Sequence, residues 1–252
     1  MTLRLLPALL LAACSATPQL KGQVVDVWGE PVSGATVKMS GQTERPVTDA
    51  NGWFALPVVT GTHTLKAGRK GYIQQDVEIT VGDANVPSPV LTLYPQPEEK
   101  GFHLVGSGGY IHVPKQPVQA VGNNIKAFYG LRHAGDASID GSTIRVLYHT
   151  DLSKGQVHSL EPEVHRLAFQ KEAQLEGALT QQVALNLWVS DEVVEAKIVE
   201  LPSGSDYLIE TTGELTPGNY ALTTHKLLTP NTDEEWTRIA KPLRIAFPFE
   251  LR

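Results

Sequence analysis

The residues best equipped for chemistry in this chain of 252 residues are histidines and one glutamate. His158 and Glu161 stand three positions apart, a spacing that can present two ligands to one zinc ion. Such a site needs a third ligand, and His225 is the residue that follows at a suitable distance along the chain. A match to a four-residue zinc pattern often arises by chance in a chain with eight histidines. We therefore expect no catalytic zinc site at these residues.

Other candidate sites have equally little support in the sequence. His103 and His112 fall on neighbouring predicted strands, where they could pair and bind a metal or simply be solvated. Asp49 and Asn51 offer two side chains, too few for calcium, so turn chemistry explains them. Gly106–Gly109 precedes a strand rather than a helix, which predicts a glycine loop and no nucleophile elbow. The sequence therefore predicts no cofactor, no metal and no enzymatic activity.

The N-terminal residues carry a targeting signal. Arg4 is followed by the apolar run Leu5–Leu11, which is too short to span a bilayer. Cys14 is the only cysteine, so no intramolecular disulfide can form. The Leu-Ala-Ala-Cys stretch ending at Cys14 resembles the lipobox of bacterial lipoproteins. The resemblance implies lipid on Cys14 and, because Ser15 follows it, attachment to the outer membrane of a Gram-negative envelope. The alternative is a soluble secreted protein.

The charge of the chain excludes one class of partner. The sequence has 21 basic and 27 acidic residues, a net charge of −6, which becomes −7 once Arg4 is removed with the signal. The longest basic run is Arg69-Lys70. Because nucleic-acid binding needs clustered Lys and Arg to neutralise phosphates, we expect no nucleic-acid partner.

Residues 20–94 consist of short predicted strands separated by turn residues. Three patterns follow one another along the chain: G-x-V-x-D-x-x-G-x-P-V-x-G-A-x-V from Gly22, T-D-x-x-G-x-F from Thr48, and G-x-H-x-L from Gly61. This set resembles the carboxypeptidase regulatory-like domain, a transthyretin-like β-sandwich. The resemblance covers about 75 residues and implies a fold, but such domains accompany many unrelated partners and so imply no activity.

Two tryptophans occupy turn positions of this predicted domain. If consecutive strands are antiparallel, Trp28, Trp53, Arg69 and Lys70 emerge at one end of the sandwich. Exposed tryptophan beside a cation suits a protein partner or a sugar ring. The alternative is that each tryptophan folds back over its own sheet edge.

The rest of the chain predicts a second β-rich domain. In the run from 183 to 190, apolar residues alternate with polar ones and place Trp188 on the surface. The segment 162–179 fits either a helix or a strand. A Pro-Gly turn before Tyr220 favours an immunoglobulin-like sandwich. The predicted boundaries are a signal peptide over 1–13, a lipidated tether over 14–19, a first β-sandwich over 20–94, a Pro-rich linker over 95–100 and a second domain over 101–252.

Together these features predict an all-β protein with two sandwiches. We expect a non-catalytic, membrane-anchored lipoprotein that binds or braces another component of the cell envelope. Its expected partners are the membrane, through the lipid, an envelope protein, and possible glycans. The alternatives are a carbohydrate-binding module that uses the loop tryptophans, and a hydrolase with its site in residues 101–252.

Overall fold

The computed structural model describes residues 19–82, 86–123, 125–175 and 181–252. The signal segment, Cys14 and the end of the segment 162–179 lie outside these residues. Strands make up 53% of the structure and helices are few, which confirms the predicted all-β class. The strands are β1 (Gln19–Asp26), β2 (Thr36–Met39), β3 (Trp53–Pro57), β4 (Gly61–Gly68), β5 (Tyr72–Ile73), β6 (Gln75–Val81), β7 (Val90–Pro95), β8 (Gly101–Val105), β9 (Tyr110–His112), β10 (Gln116–Pro117), β11 (Gln119–Gly122), β12 (Ala127–Leu131), β13 (Ala137–Ile139), β14 (Arg145–His149), β15 (Glu163–Leu175), β16 (Gln181–Val194), β17 (Ala196–Glu200), β18 (Asp206–Thr211), β19 (Gly218–Thr223) and β20 (Ile245–Leu251).

The first compact unit comprises the described residues up to Arg69 together with Asp76–Leu93. Its strands form two small sheets, in the orders β3-β1-β7 and β2-β4-β6. β1 runs antiparallel to β3 and parallel to β7. Apolar side chains at alternate positions are buried, as expected for sheets with one face on a core and one in water. On β1, β3 and β7 these side chains are Leu20, Val24, Phe54, Leu56, Leu91 and Leu93.

The second compact unit comprises Lys70–Gln75 and Tyr94–Arg252. Its larger sheet has eight strands in the order β10-β20-β19-β15-β16-β12-β11, with β13 also paired to β20. Its smaller sheet has five strands in the order β17-β18-β14-β8-β9. Both sheets contribute to one hydrophobic cluster, so they form a β-sandwich. The cluster includes Phe102, Val146 and Tyr207 from the smaller sheet and Val164, Tyr220 and Phe249 from the larger one.

Three short helices join the strands of the second unit: α1 (Lys154–Ser159), α2 (Asp233–Arg238) and a 3₁₀ turn at Lys241–Leu243. Thr232 caps α2 by accepting a hydrogen bond from the Glu235 amide. Within the described ranges, no helix has the length and apolar character needed to cross a bilayer.

For the described part of the segment 162–179, the structure shows a strand rather than a helix. Residues Glu163–Leu175 form β15, which pairs with β16 on one side and, through its first residues, with β19 on the other. Trp188 on β16 is half-buried against a cluster containing Tyr129 and Leu167, so its predicted surface position is wrong. Its ring lies 5.4 Å from that of Phe169 on β15, and Trp236 of α2 packs on the same cluster.

The Pro-rich segment 95–100 packs against the second unit. The Tyr110 hydroxyl donates a hydrogen bond of 2.8 Å to the Pro95 carbonyl, and Pro97 is buried. Tyr94 is buried beside Arg145, and burial raises the pKa of the Tyr94 hydroxyl. This segment therefore follows a fixed path into β8.

Candidate functional site

A cleft of about 500 Å³ lies at one end of the second unit, where strands of both sheets end. β8 begins where β14 ends, since Gly101 and His149 are register partners. In the larger sheet β19 ends opposite the beginning of β20, with Thr223 paired to Ala246. We call this the end cleft. Its apolar lining includes Phe102, Tyr148, Leu152, Leu160, Ile245 and Phe247.

The aromatic side chains of the end cleft contact one another across the two sheets. Phe102 and Tyr148 are stacked with ring centroids 4.1 Å apart. Phe247, from the larger sheet, meets Phe102 edge to face at 4.6 Å. These geometries are favourable for aromatic pairs, and both sheets hold the rings in place. Phe102 and Tyr148 are only 2% and 9% exposed, so these contacts fix the base of the cleft, and Phe247 is the half-buried ring of the three.

Charged residues lie around the apolar lining. Glu99, Lys100 and Lys115 line the end cleft and are exposed. Lys100 forms an ion pair with Asp151. Lys115 makes no hydrogen bond or ion pair within the described part of the chain.

Two histidines complete the lining. His112 is exposed, whereas His149 is held by Asp206, whose carboxylate lies 2.6 Å from the His149 Nδ1 atom. Asp206 is 1% exposed and also accepts a hydrogen bond of 2.7 Å from the Ser203 hydroxyl. Because an ionised carboxylate only accepts hydrogen bonds, Nδ1 of His149 carries the proton. The ring orientation of His149 is thus fixed by a buried acid.

Unusual backbone conformations flank the same cleft. Leu160 and Thr224 both line it, and each is followed by a residue other than glycine in the left-handed region. Glu161 has a φ of 43° and His225 a φ of 69°. The His225 amide donates a hydrogen bond of 2.5 Å to the Leu160 carbonyl, which ties the two segments together. Backbone strain of this kind concentrates at functional sites.

The residues considered above as zinc ligands, where no zinc site was expected, are only partly brought together. His158 is exposed in the last turn of α1. Glu161 and His225 line a small separate pocket next to α2, with Lys226 and Arg238. No group of three His, Cys, Asp or Glu residues that could hold a metal ion occurs among the residues that the structure describes.

The predicted histidine pair does form across neighbouring strands. His103 on β8 is the register partner of His112 on β9, and their ring centroids are 5.2 Å apart. His103 is only 5% exposed, so the expectation of a solvated side chain is wrong for it. Its Nε2 atom lies 2.9 Å from the Glu99 carbonyl oxygen, and burial lowers the pKa of the His103 ring. The path of segment 95–100 over the smaller sheet explains this burial.

The two predicted surface tryptophans lie in two copies of one loop, Asp26–Glu30 and Asp49–Trp53, both with the pattern D-x-x-G-x. In each copy the aspartate carboxylate accepts hydrogen bonds of 2.9–3.0 Å from the amides of the third and fifth residues. Trp28 is half-buried and Trp53 is 46% exposed. The carboxylate of the second loop is thereby used within the turn, as turn chemistry predicts.

The two tryptophans belong to neighbouring parts of the first unit. Trp53 pairs with Gln23 of β1, and Trp28 follows the end of the same strand. Arg69 and Lys70 are exposed after β4, with Lys70 assigned to the second unit. A common surface for the four residues stays a prediction.

The glycine loop is also present. The Gly106 amide donates a hydrogen bond of 3.0 Å to the Gly109 carbonyl, which closes the turn between β8 and β9. No strand-to-helix elbow occurs there, because β9 follows directly. The segment is structural, as its position before a strand predicts.

Sequence analysis missed the end cleft. Its three aromatic residues are far apart in the chain, and in the sequence each looks like an inward-facing residue of a separate strand: Phe102, Tyr148 and Phe247. The only local signal is the pair of residues Tyr148 and His149, where a polar residue follows an aromatic one at a strand end. Their convergence depends on strand order, which periodicity does not encode.

Solved structures show distant likeness to the chain. The type II cohesin–X-dockerin complex from Acetivibrio cellulolyticus is similar at 24% identity over 29% of this chain and 51% of that one, with a TM-score of 0.24. A candidate carbohydrate-binding protein from Bacteroides uniformis is similar at 12% identity over 81% and 86%, with a TM-score of 0.25. The major pilin subunit of Bacillus cereus is similar at 12% identity over 92% and 68%, with a TM-score of 0.24. The chain thus spans about half the length of the first of these.

No curated protein matches the chain by sequence. The family model of the carboxypeptidase regulatory-like domain matches residues 19–93. The match begins with β1 and ends within β7, and it covers under a third of the chain. It confirms, for this part of the chain, the similarity to the carboxypeptidase regulatory-like domain that the turn residues indicated.

Proposed function

We propose that this chain is a non-catalytic binding protein of the cell envelope, held at the outer membrane by lipid on Cys14. The end cleft is its ligand site. One observation carries the binding role: the cleft is lined by half-buried apolar side chains, Leu152, Leu160, Ile245 and Phe247, with a few polar groups around them, which is the usual composition of a small-molecule site. The stretch from Cys14 to Leu20 spans about 20 Å at most, so the protein would work close to the bilayer.

The chemistry of the lining supports binding rather than turnover. Covalent catalysis by a hydroxyl requires a nucleophile activated by a neighbouring base. The side-chain hydroxyls that line the end cleft belong to Tyr148, Thr150 and Thr224. Within the described residues, none of them is hydrogen-bonded to His149. The Thr150 hydroxyl instead accepts a hydrogen bond of 3.2 Å from the Leu152 amide.

A neutral fluorescent probe tests the binding role. N-phenyl-1-naphthylamine is titrated into the full-length chain carrying Cys14→Ser, so that no lipid competes for the site. Burying about 300 Å² of apolar probe surface contributes about 7 kcal/mol, which corresponds to a Kd of about 10 μM before ordering costs. Saturable enhancement of fluorescence is expected. A linear, non-saturating response would contradict the proposed function.

Two matched variants locate the probe. Leu243 lines the end cleft and is 49% exposed, so Leu243→Asp places a charge at the site without opening the core. Ile125 is 69% exposed in the same unit and is not among the lining residues. We expect Leu243→Asp to weaken probe binding about tenfold, since the carboxylate must be desolvated, and Ile125→Asp to leave it unchanged. Equal effects of both variants would refute the assignment to the end cleft.

A second candidate function rests on the tryptophan loops. The identical hydrogen-bond networks of Asp26 and Asp49 hold Trp28 and Trp53 in defined turns, which suits a glycan-binding surface. This candidate predicts saturable binding of a soluble oligosaccharide that is lost on Trp53→Ala. Titrations with no saturable component would remove it.

A further inference from the structure

We infer that Asn51 is a site of spontaneous deamidation, and that the folded loop around it slows the reaction. Asn51 is the only asparagine in the sequence that is followed by glycine. Asparagine is one of the thermolabile residues, and a glycine after it has no side chain to keep its backbone nitrogen away. Asn51 is also exposed to water. This modification does not depend on the ligand site in the end cleft.

The reaction needs only water. The Gly52 backbone nitrogen loses its proton and forms a bond to Cγ of Asn51, and the side-chain amide nitrogen takes up a proton and leaves as ammonia. Water then adds to one of the two carbonyl carbons of the cyclic imide and breaks the bond from that carbon to the Gly52 nitrogen. The product is aspartate when Cγ is attacked and isoaspartate when the backbone carbonyl is attacked. No oxidant or reductant is consumed.

The folded loop holds the attacking nitrogen in place. The Gly52 amide donates a hydrogen bond of 3.0 Å to the Asp49 carbonyl. On the other side of the same peptide group, the Asn51 carbonyl accepts a hydrogen bond of 2.9 Å from the Gln23 side chain. Gly52 itself is buried. Because the Gly52 nitrogen must give up its proton and turn towards Cγ, these two hydrogen bonds must break before the ring can close.

Asp49 is the residue that keeps this loop closed. Its carboxylate accepts hydrogen bonds of 2.9 Å from the Asn51 amide and from the Trp53 amide. Hydrogen bonds to a charged group are stronger than those between neutral groups. In the folded protein, deamidation therefore proceeds from the fraction of molecules in which the loop is open, and Asp49 keeps that fraction small.

Deamidation changes the surface beside Trp53. It replaces a neutral amide with a carboxylate that is ionised at neutral pH. Isoaspartate also adds one methylene group to the loop backbone, which changes the spacing of the two amides that Asp49 holds. An aged molecule thus has an altered loop at a tryptophan of the candidate glycan surface.

Peptide mapping by mass spectrometry on the full-length Cys14→Ser chain tests this inference. The chain is incubated in mildly alkaline water labelled with heavy oxygen, either folded or unfolded in guanidinium chloride, and conversion at each asparagine is followed over time. In the unfolded chain, Asn51 should convert faster than any other asparagine. In the folded chain, conversion at Asn51 should be at least about fivefold slower, because two hydrogen bonds must break first. No conversion at Asn51 in the unfolded chain, or equal rates in the two states, would overturn the inference.

Two aspartate variants identify what protects the loop. Asp49→Ala removes both carboxylate hydrogen bonds and should speed conversion at Asn51 in the folded chain at least about fivefold. Asp26→Ala removes the matching hydrogen bonds of the other D-x-x-G-x loop and should leave the rate within about twofold. An unchanged rate in Asp49→Ala, or an equal rise in Asp26→Ala, would overturn the role of Asp49. The comparison of the folded and unfolded parent chain decides the inference even if a variant does not fold.

Discussion

Replacing the glycine in each tryptophan loop with alanine should destabilise the first unit by very different amounts. Gly29 and Gly52 occupy the fourth position of the two D-x-x-G-x loops and have φ values of 87° and 76°. Both substitutions therefore place alanine in the left-handed region. The surroundings differ, since a Cβ atom on Gly29 meets nothing within 4 Å, whereas one on Gly52 would lie 2.3 Å from the Val24 carbonyl oxygen.

The expected losses in the free energy of unfolding follow from the left-handed backbone conformation and from the contacts of the added Cβ atom. The left-handed conformation costs alanine about 1–2 kcal/mol, partly offset by the lower entropy of the unfolded chain, so Gly29→Ala should cost about 1 kcal/mol. Gly52→Ala adds a clash that side-chain rotation cannot relieve. The Val24 amide donates a hydrogen bond of 2.8 Å to the Gly52 carbonyl, and the Val24 carbonyl accepts one of 2.9 Å from Val32. Relieving the clash means moving the Val24 and Gly52 backbones apart, which weakens these hydrogen bonds. Gly52→Ala should therefore lower the free energy of unfolding by at least about 3 kcal/mol.

Urea unfolding of the full-length Cys14→Ser chain provides the assay, with circular dichroism and tryptophan fluorescence as signals. The free energy of unfolding of the first unit is compared among the parent chain, Gly29→Ala and Gly52→Ala. Gly29→Ala serves as the matched control, because it shares the loop position and backbone conformation. Equal losses, or a larger loss for Gly29→Ala, would refute the reasoning from the Val24 contact.

Four further predictions concern other parts of the chain. Burial lowers the pKa of His103 below its unfolded value of about 6.5, so the second unit should lose stability as pH falls through about 6.5. His103→Gln should flatten that slope in thermal unfolding at pH 7.5 and 5.0, and an unchanged slope would contradict it. Tyr129 donates a hydrogen bond to Asp233, so Tyr129→Phe should cost about 1–2 kcal/mol in urea unfolding, and no loss would argue against that bond. Arg244 lies 3.9 Å from the Trp236 ring and donates hydrogen bonds to two carbonyls, so Arg244→Lys should lower Tm, as calorimetry can check; an unchanged Tm would contradict it. Cys14→Ser should move the protein from the membrane fraction to the soluble fraction and abolish palmitate labelling, whereas retention of both would exclude lipid on this residue.

The first unit could be predicted well from sequence because its information lies in turn residues. Asp49 and Gly52 form a loop whose hydrogen bonds are local, so the pattern of residue types determines the geometry. Alternation likewise predicted the strand over 183–190, which lies within β16 of the second unit. The long strand β15 was ambiguous because its apolar positions fit two periods, and its pairing with β16 and β19 decides the outcome.

The candidate site could not be predicted in the same way. Phe102 and Tyr148 are register partners on strands more than forty residues apart, and Phe247 reaches them from the other sheet. Burial of His103 was missed for a related reason, because the covering segment 95–100 looked like a linker. Both features depend on which strands become neighbours, a property set by long-range packing rather than by local periodicity.

The most direct test of the binding role is an NMR measurement of where the neutral probe N-phenyl-1-naphthylamine binds. The full-length Cys14→Ser chain, labelled at Ile and Leu methyl groups, is mixed with saturating N-phenyl-1-naphthylamine, and nuclear Overhauser effects from the probe protons are assigned. We predict contacts to the methyl groups of Leu160 and Ile245, which line the end cleft. Contacts confined to methyl groups elsewhere, or no saturable contacts at all, would contradict a ligand site between the strand ends of the second unit.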